Sequence, residues 1–281
     1  MKKSKILLSI LLSAGLVSKS YSQKILTKIW ETDTLISTPE SVVYEPKDKS
    51  LYVTCINGAP VASNQQSFVS KLDLNGKIIQ LKVTENLHAV KGLDVMDGKI
   101  YVAEIFKLVE IDAKTGKVLH KYEVPNATFL NGVSVDKKNK IVYFTDMRSD
   151  RIWKLEKGQL VKVAEGEPLK TPNGVFFEQD KLIIGNGDGK VLAFNLKTQQ
   201  YSTIAEGMEK LDGILSDGQK GYFATEWRGK IWHISPEGKT QLLLDTVDAK
   251  MNTADIEYIP NQKLLLVPTF WKNKVIAYKV N

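Results

Sequence analysis

A short pattern recurs six times along the chain, and no other feature restricts the possible folds as much. Its clearest copy is Leu130-Asn131-Gly132-Val133-Ser134-Val135-Asp136, followed after a polar turn by Ile141-Val142-Tyr143-Phe144-Thr145-Asp146. A polar residue opens an apolar strand, a turn follows, and a second apolar strand ends in a small or acidic residue. Pro172-Asn173-Gly174-Val175 leads in the same way to Leu182-Ile183-Ile184-Gly185-Asn186, and Leu211-Asp212-Gly213-Ile214 leads to Gly221-Tyr222-Phe223-Ala224-Thr225. Looser copies stand at Pro39-Glu40-Ser41-Val42, Val90-Lys91-Gly92-Leu93 and Thr253-Ala254-Asp255-Ile256. The opening positions are therefore Glu40, Lys91, Asn131, Asn173, Asp212 and Ala254, spaced 39 to 51 residues apart. A period near forty with several short strands per unit is the signature of a propeller.

Each unit alone leaves an apolar sheet face open to water, so neighbouring units must cover one another and close into one body. The expected fold is all-β: a six-bladed β-propeller with four antiparallel strands per blade, forming one domain over residues 23–281. The third strands run into Asn75-Gly76, Thr115-Gly116 and Glu237-Gly238 hairpins, whose turn residues tolerate positive φ. Lys24-Ile25-Leu26-Thr27-Lys28-Ile29-Trp30 alternates like a strand yet precedes the first repeat. It is expected to join the last blade, beside Leu264–Val267 and Val275–Tyr278, and so close the ring. The spacing of 51 after Glu40 is explained by a polar insert at residues 57–66. Such a loop either shapes a pocket over the propeller face or is simply tolerated. No stretch after the leader has a helical period of useful length.

The first 22 residues read as a secretory signal peptide. Lys2, Lys3 and Lys5 precede an apolar run from Ile6 to Val17, and Ser20-Tyr21-Ser22 offers a small-x-small cleavage site. The run is too short to span a bilayer, and no other stretch is long and apolar enough for a membrane helix. The expected localisation is thus outside the cytoplasm, periplasmic or secreted. Four of the 39 basic residues lie in this leader and none of the 32 acidic ones does, so the net charge of +7 falls to +3 in the mature chain. Arginine occurs only as Arg148, Arg151 and Arg228, which leaves little geometry for reading phosphates or guanines. Nucleic acid is therefore excluded as an expected partner, and a small-molecule substrate is favoured. Cys55 is the single cysteine, so no intrachain disulfide can form; it reads as a packed strand residue.

In a propeller the innermost strands line a central channel, so residues of equivalent phase converge on its axis. Four of the six openings are oxygen donors: Glu40, Asn131, Asn173 and Asp212. Two carboxylates and two amide carbonyls suit a hard divalent cation, Ca2+ above all, with water and substrate completing the shell. Zn2+, Mg2+ or Mn2+ can also occupy oxygen sites. The competing explanation is repeated turn chemistry, since Asn-Gly and Asp-Gly are common turn dipeptides. Lys91 fills the opening position of the second blade and Asp255 follows that of the sixth; both are candidate substrate contacts. Trp227, with Phe270 and Trp271, follows second strands and either walls a pocket or seals blade packing. His88 reads as a loop residue, and His120 and His233 as structural ones.

On these residues the chain resembles the gluconolactonase, senescence-marker-protein (regucalcin) and luciferin-regenerating-enzyme family of calcium-dependent six-bladed propellers. It also resembles the wider group that includes paraoxonases and diisopropylfluorophosphatase. The resemblance runs over residues 24–281 and is most specific in blades three to five. It implies metal ligation by Glu40, Asn173 and Asp212, with Asn131 a metal or substrate contact and Asp212 the catalytic residue. It implies hydrolysis of a lactone or related ester: a cation acts as Lewis acid while Asp212 activates water or attacks directly, with Asp255 an alternative base. The chain departs from the family at Phe129, where regucalcin-like lactonases carry a substrate-binding Arg, and at Lys91, where paraoxonases carry a histidine. The third blade also runs straight through Thr145–Arg151 without the insertion that carries further sugar contacts. Rival expectations are a non-catalytic propeller that binds a ligand or partner, and a condensing propeller of the strictosidine-synthase type.

Overall fold

The computed structural model describes residues 23–61 and 64–281. The leader read at residues 1–22 lies outside them. Six four-stranded antiparallel sheets follow one another along the chain, as the repeat predicts. Their innermost strands are Pro39–Glu45, Leu93–Met96, Leu130–Asp136, Val175–Glu178, Leu211–Ser216 and Glu257–Ile259. Beyond strands, the described residues contain only three single-turn 3-10 helices. None of their helices is long and apolar enough to cross a membrane.

The first blade to the fifth are each built from four consecutive strands. The sixth takes three from the C-terminal end, and its outermost strand is Leu26–Glu31 from the N-terminal end. That strand pairs antiparallel with Val275–Val280, Leu26 opposite Val280 and Glu31 opposite Ile276. Thr32 Oγ1 accepts a hydrogen bond from Val275 N at 3.0 Å, which extends the seam. Lys24 is tied backbone to side chain onto Gln241 of the fifth blade, so the closing segment grips two blades. The ring is thus shut by hydrogen bonds between chain segments far apart in sequence.

The second strand of each blade is buried on both faces because neighbouring sheets cover it. In the third blade, Leu130–Asp136 and Ile141–Asp146 are buried throughout. Outer strands such as Val118–Glu123 alternate toward water. The apolar core is a set of wedges between blades. One joins Leu215, Phe223 and Ile231 of the fifth blade to Ile256, Leu265, Val267 and Ile276 of the sixth. The insert on the first blade connects Cys55 to Ser67 at the end of the propeller where the inner strands begin.

Deep in the channel, polar side chains fasten adjacent inner strands. Asp94 Oδ2 accepts from Val135 N of the next blade at 2.9 Å, while its Oδ1 accepts from Val95 N. Ser134 Oγ accepts from Phe177 N, and Glu257 Oε2 accepts from Tyr44 N, both at 2.9 Å. Asp94, Asp255 and Glu257 line an axial cavity of about 90 Å³ here. Burial pushes all three carboxyls up, Asp94 and Asp255 to about 6 and Glu257 to about 7.

Candidate functional site

The six opening residues gather at one end of the channel, and glycine is what lets them. Gly92, Gly132 and Gly174 each follow an opening residue and press against the next blade. A Cβ on any of them would lie within 3 Å of the carbonyl oxygen of Asn131, Asn173 or Asp212, respectively. None of these glycines has positive φ, and Gly132 lies inside an inner strand. The Asn-Gly and Asp-Gly pairs are therefore not turns. Glycine is required by the close approach of neighbouring backbones, which sets the opening residues shoulder to shoulder around the axis.

Two threonines hold that ring in register. Thr145 Oγ1 accepts from Gly132 N at 2.9 Å and donates to Asn173 O at 2.8 Å. Thr225 Oγ1 does the same between Gly213 N and Ala254 O, at 2.8 and 2.9 Å. The residue that ends or follows a second strand then fastens the loop leading into its own inner strand. Glu104 accepts from His88 N, Asp146 from Phe129 N, Asn186 from Lys170 N and Glu226 from Glu209 N. In the sequence these positioning residues are visible only as the small or acidic ends of second strands.

The seam between blades six and one is built differently. Ser41 and Asp255 stand at the glycine position, bridge in parallel, and bond through Ser41 Oγ to Asp255 Oδ2 at 2.7 Å. Asp255 N donates to Glu40 O at 2.9 Å. Asp255 thus lies immediately inward of the opening ring and faces the channel cavity.

Glu40, Lys91, Asn131 and Asp212 are buried, and Asn173 is half-buried. Burial raises the Glu40 carboxyl well above the usual carboxylate range; Lys91 opposes the rise, and Asp212 and Asp255 add to it. Burial raises Asp212 too, aided by Asp255 and opposed by Lys91 and the Asn173 amide. Lys91 is lowered by burial and held up by Glu40 and Asp212. Lys91 of blade two and Asp212 of blade five sit on opposite sides of the ring, so their mutual influence shows that these side chains converge on the axis.

The polar groups at this end are incompletely matched. Glu40 Oε2 and Asp212 Oδ1 are buried with no hydrogen-bond partner. The Lys91 ammonium makes a single bond, 3.4 Å to Val90 O, and no ion pair within 4 Å among the described residues. Buried oxygens of this kind are costly unless something completes them. Their chemistry, two carboxylates beside two amides, fits a hard divalent cation. Among the described residues no three His, Cys, Asp or Glu side chains cluster as a ligand set, so amide oxygens from Asn131 and Asn173 are needed to complete one. The Asn131 amide is turned toward Met147 Sδ at 3.8 Å.

The mouth has two apolar walls. Phe129, Ile105, Ala89 and Met147 form one on blades two and three. Trp227, Phe270 and Trp271 form the other on blades five and six, with Phe270 edge-on to both tryptophans at 5.5 and 4.9 Å. Trp227 is thus at the rim, 37% exposed, apart from the polar ring. His233 is buried against Asp217 at 2.8 Å and is structural. Cys55 is also buried, its thiol pushed up to about 12.

The six sheets, with a buried, part-matched cluster of oxygen donors at one mouth, make the chain a six-bladed β-propeller. The family model described as SMP-30/Gluconolactonase/LRE-like region matches residues 38–253, and the chain belongs to that family. No curated protein matches the chain in sequence. Among solved structures it is similar to a gluconolactonase from Xanthomonas campestris, with TM-score 0.64 and 13% identity, covering 87% of this chain and 86% of that one. It is equally similar to a catalytically inactive virginiamycin B lyase from Staphylococcus aureus with quinupristin, at TM-score 0.64, 13% identity, and coverage of 92% and 99%. A nidogen/laminin complex also matches, at TM-score 0.59, 16% identity, and coverage of 74% and 80%. At such identities these likenesses concern the fold alone, and that fold serves a lyase, a lactonase and a protein complex.

Proposed function

We propose that the protein is a metal-dependent lactonase or esterase-type hydrolase, gluconolactonase-like, with its cation at the channel mouth. The observation that carries this reading is the pair of orphaned oxygens, Glu40 Oε2 and Asp212 Oδ1, converging on one axis. Family membership and a gluconolactonase among the structural neighbours support the substrate class. In this reading Glu40, Asn173 and Asp212 hold the cation with Asn131 beside them, and Ca2+ suits the set best. The chemistry such a cation supplies is Lewis acidity at the scissile carbonyl. With residues 1–22 removed, the hydrolase acts outside the cytoplasm.

The chain's own residues would do the rest. The Asp212 carboxylate accepts the proton of the attacking water. Lys91, with ammonium hydrogens to spare, donates to the carbonyl oxygen as negative charge develops there. Asn131 orients the substrate, and the walls around Phe129 and Phe270 exclude bulk water. A pH-indicator screen over aldonolactones, aliphatic lactones, aryl esters and phosphotriesters tests the reading. Turnover of a lactone or ester, abolished by chelator and restored by a divalent cation, is expected. No cation-dependent turnover of any of these would overturn it in favour of a binding propeller.

A further inference from the structure

We infer that Arg148, seated on Phe129 at the rim, anchors a carboxylate on the substrate distal to the reacting carbonyl, so that the preferred substrates are lactones bearing an acid group. The inference rests on the hydrolase reading and adds the substrate class. Arg148 is one of three arginines in the chain and follows the second strand of the third blade at the mouth end. Its guanidinium carbon lies 4.4 Å from the centroid of the Phe129 ring. The same ring has the Lys91 ammonium 5.6 Å from its centroid. One buried aromatic thus carries a deep cation and an outer one.

Neither cation has an ion-pair partner. Among the described residues no carboxylate oxygen lies within 4 Å of the Arg148 or Lys91 cation, although Glu40 and Asp212 act on Lys91 from further off. Asp146, the acid adjoining this wall, is fully buried and accepts from Thr128 N, Thr128 Oγ1 and Phe129 N. The ring contact fixes the guanidinium's orientation while leaving its N–H fork free, a geometry suited to a carboxylate. The other exposed arginine at this end, Arg228, has no aromatic shelf among the described residues.

The spacing limits the size of the ligand. The two cationic centres lie on one ring, so their separation cannot exceed the sum of the two ring distances. A small acid-bearing lactone that fits within that bound can set its carbonyl at Lys91 and its carboxylate at Arg148. Hydrolysis adds one water, breaks the acyl carbon–oxygen bond and leaves the ring oxygen as a hydroxyl. The new carboxylic acid releases its proton, so the product is a dicarboxylate. A neutral aldonolactone leaves the Arg148 fork to water.

The test uses the mature chain with a fixed concentration of divalent cation. Calorimetry compares binding of a six-carbon aldarate, a dicarboxylate, with the matching aldonate in wild type, Arg148→Gln and Arg228→Gln. Comparing variants cancels any complexation of the probes by the cation in solution. Wild type and Arg228→Gln are expected to favour the aldarate about tenfold at low salt, and Arg148→Gln to bring the ratio near one. Equal affinity in wild type, no binding of either probe, or a preference surviving in Arg148→Gln would overturn the inference. Aldarate preference without any lactone turnover would sink the hydrolase reading and leave the anion subsite. Lactone turnover with no preference for acid-bearing lactones would do the reverse.

Discussion

Two groups of acids share one channel and differ above all in how their oxygens are matched. Deep inside, Asp94 and Glu257 have every carboxylate oxygen engaged by strand N–H groups, their own and those of the neighbouring blade. At the mouth, Glu40 and Asp212 are buried where Asp94 and Glu257 are half-buried, yet each keeps an oxygen without a partner. The inner pair therefore acts as structural stitching between blades. The outer pair is left incomplete by the chain itself, which is how a site for something else looks. Burial raises the carboxyls of both groups, so a perturbed pKa does not separate them; hydrogen-bond matching does.

Substitutions should break this comparison in opposite directions. Asp212→Ala is expected to lower kcat/KM by about a thousandfold or more, on the scale of losing a base and a cation ligand together. In chelator the same variant should melt no lower than wild type, because a buried carboxyl oxygen with no partner is removed. A clear loss of melting temperature there would make Asp212 structural. Asp94→Ala should do the converse, leaving Val95 N and Val135 N without acceptors. A cost of about 2–3 kcal/mol is expected, several degrees in Tm, with cation affinity retained. Loss of cation affinity in a folded Asp94→Ala protein would put both groups in one site.

Ligand linkage gives the next largest effect. A divalent cation at a hundred times its Kd should stabilise the wild-type chain by about 2.7 kcal/mol and do nothing for Asp212→Ala. Scanning calorimetry with and without chelator reads this directly. The smallest effect is in pH. Asp94 and Glu257 have folded pKa values of about 6 and 7, above their unfolded ones. The folded state therefore holds extra protons between roughly pH 4 and 7, and stability falls as pH rises through that window. Glu257→Gln should flatten the slope by about 1 kcal/mol per pH unit, seen as a Tm change of a few degrees per pH unit. An unchanged slope would mean that Glu257 does not titrate there.

Much of the ring is legible in the amino-acid sequence. The repeat and the strand at Lys24–Trp30 specify a closed propeller because every inner face must be covered by a neighbour. What the residues alone do not reveal is why glycine follows the opening positions. As dipeptides, Asn131-Gly132 and Asp212-Gly213 look like turns, and only the approach of the next blade's backbone shows otherwise. The roles of Thr145, Thr225 and Asp146 are hidden for a similar reason, since their partners lie in other strands or other blades. Arg148 carries no signal of its own, because its place over Phe129 depends on a 3-10 turn at Met147–Ser149. Asp255 reads as a candidate base, and its bond to Ser41 ties it to the blade seam instead of leaving it free at the mouth.

The central claim is that the unmatched oxygens of Glu40 and Asp212 await a divalent cation held with Asn173 and Asn131. Calcium titration of chelator-treated mature protein by calorimetry tests it most directly, with the Asp212→Ala, Asn173→Ala double variant beside it. The account predicts saturable binding of a single cation per wild-type chain and none in a folded double variant. No binding to wild type, or equal binding to both, would contradict it.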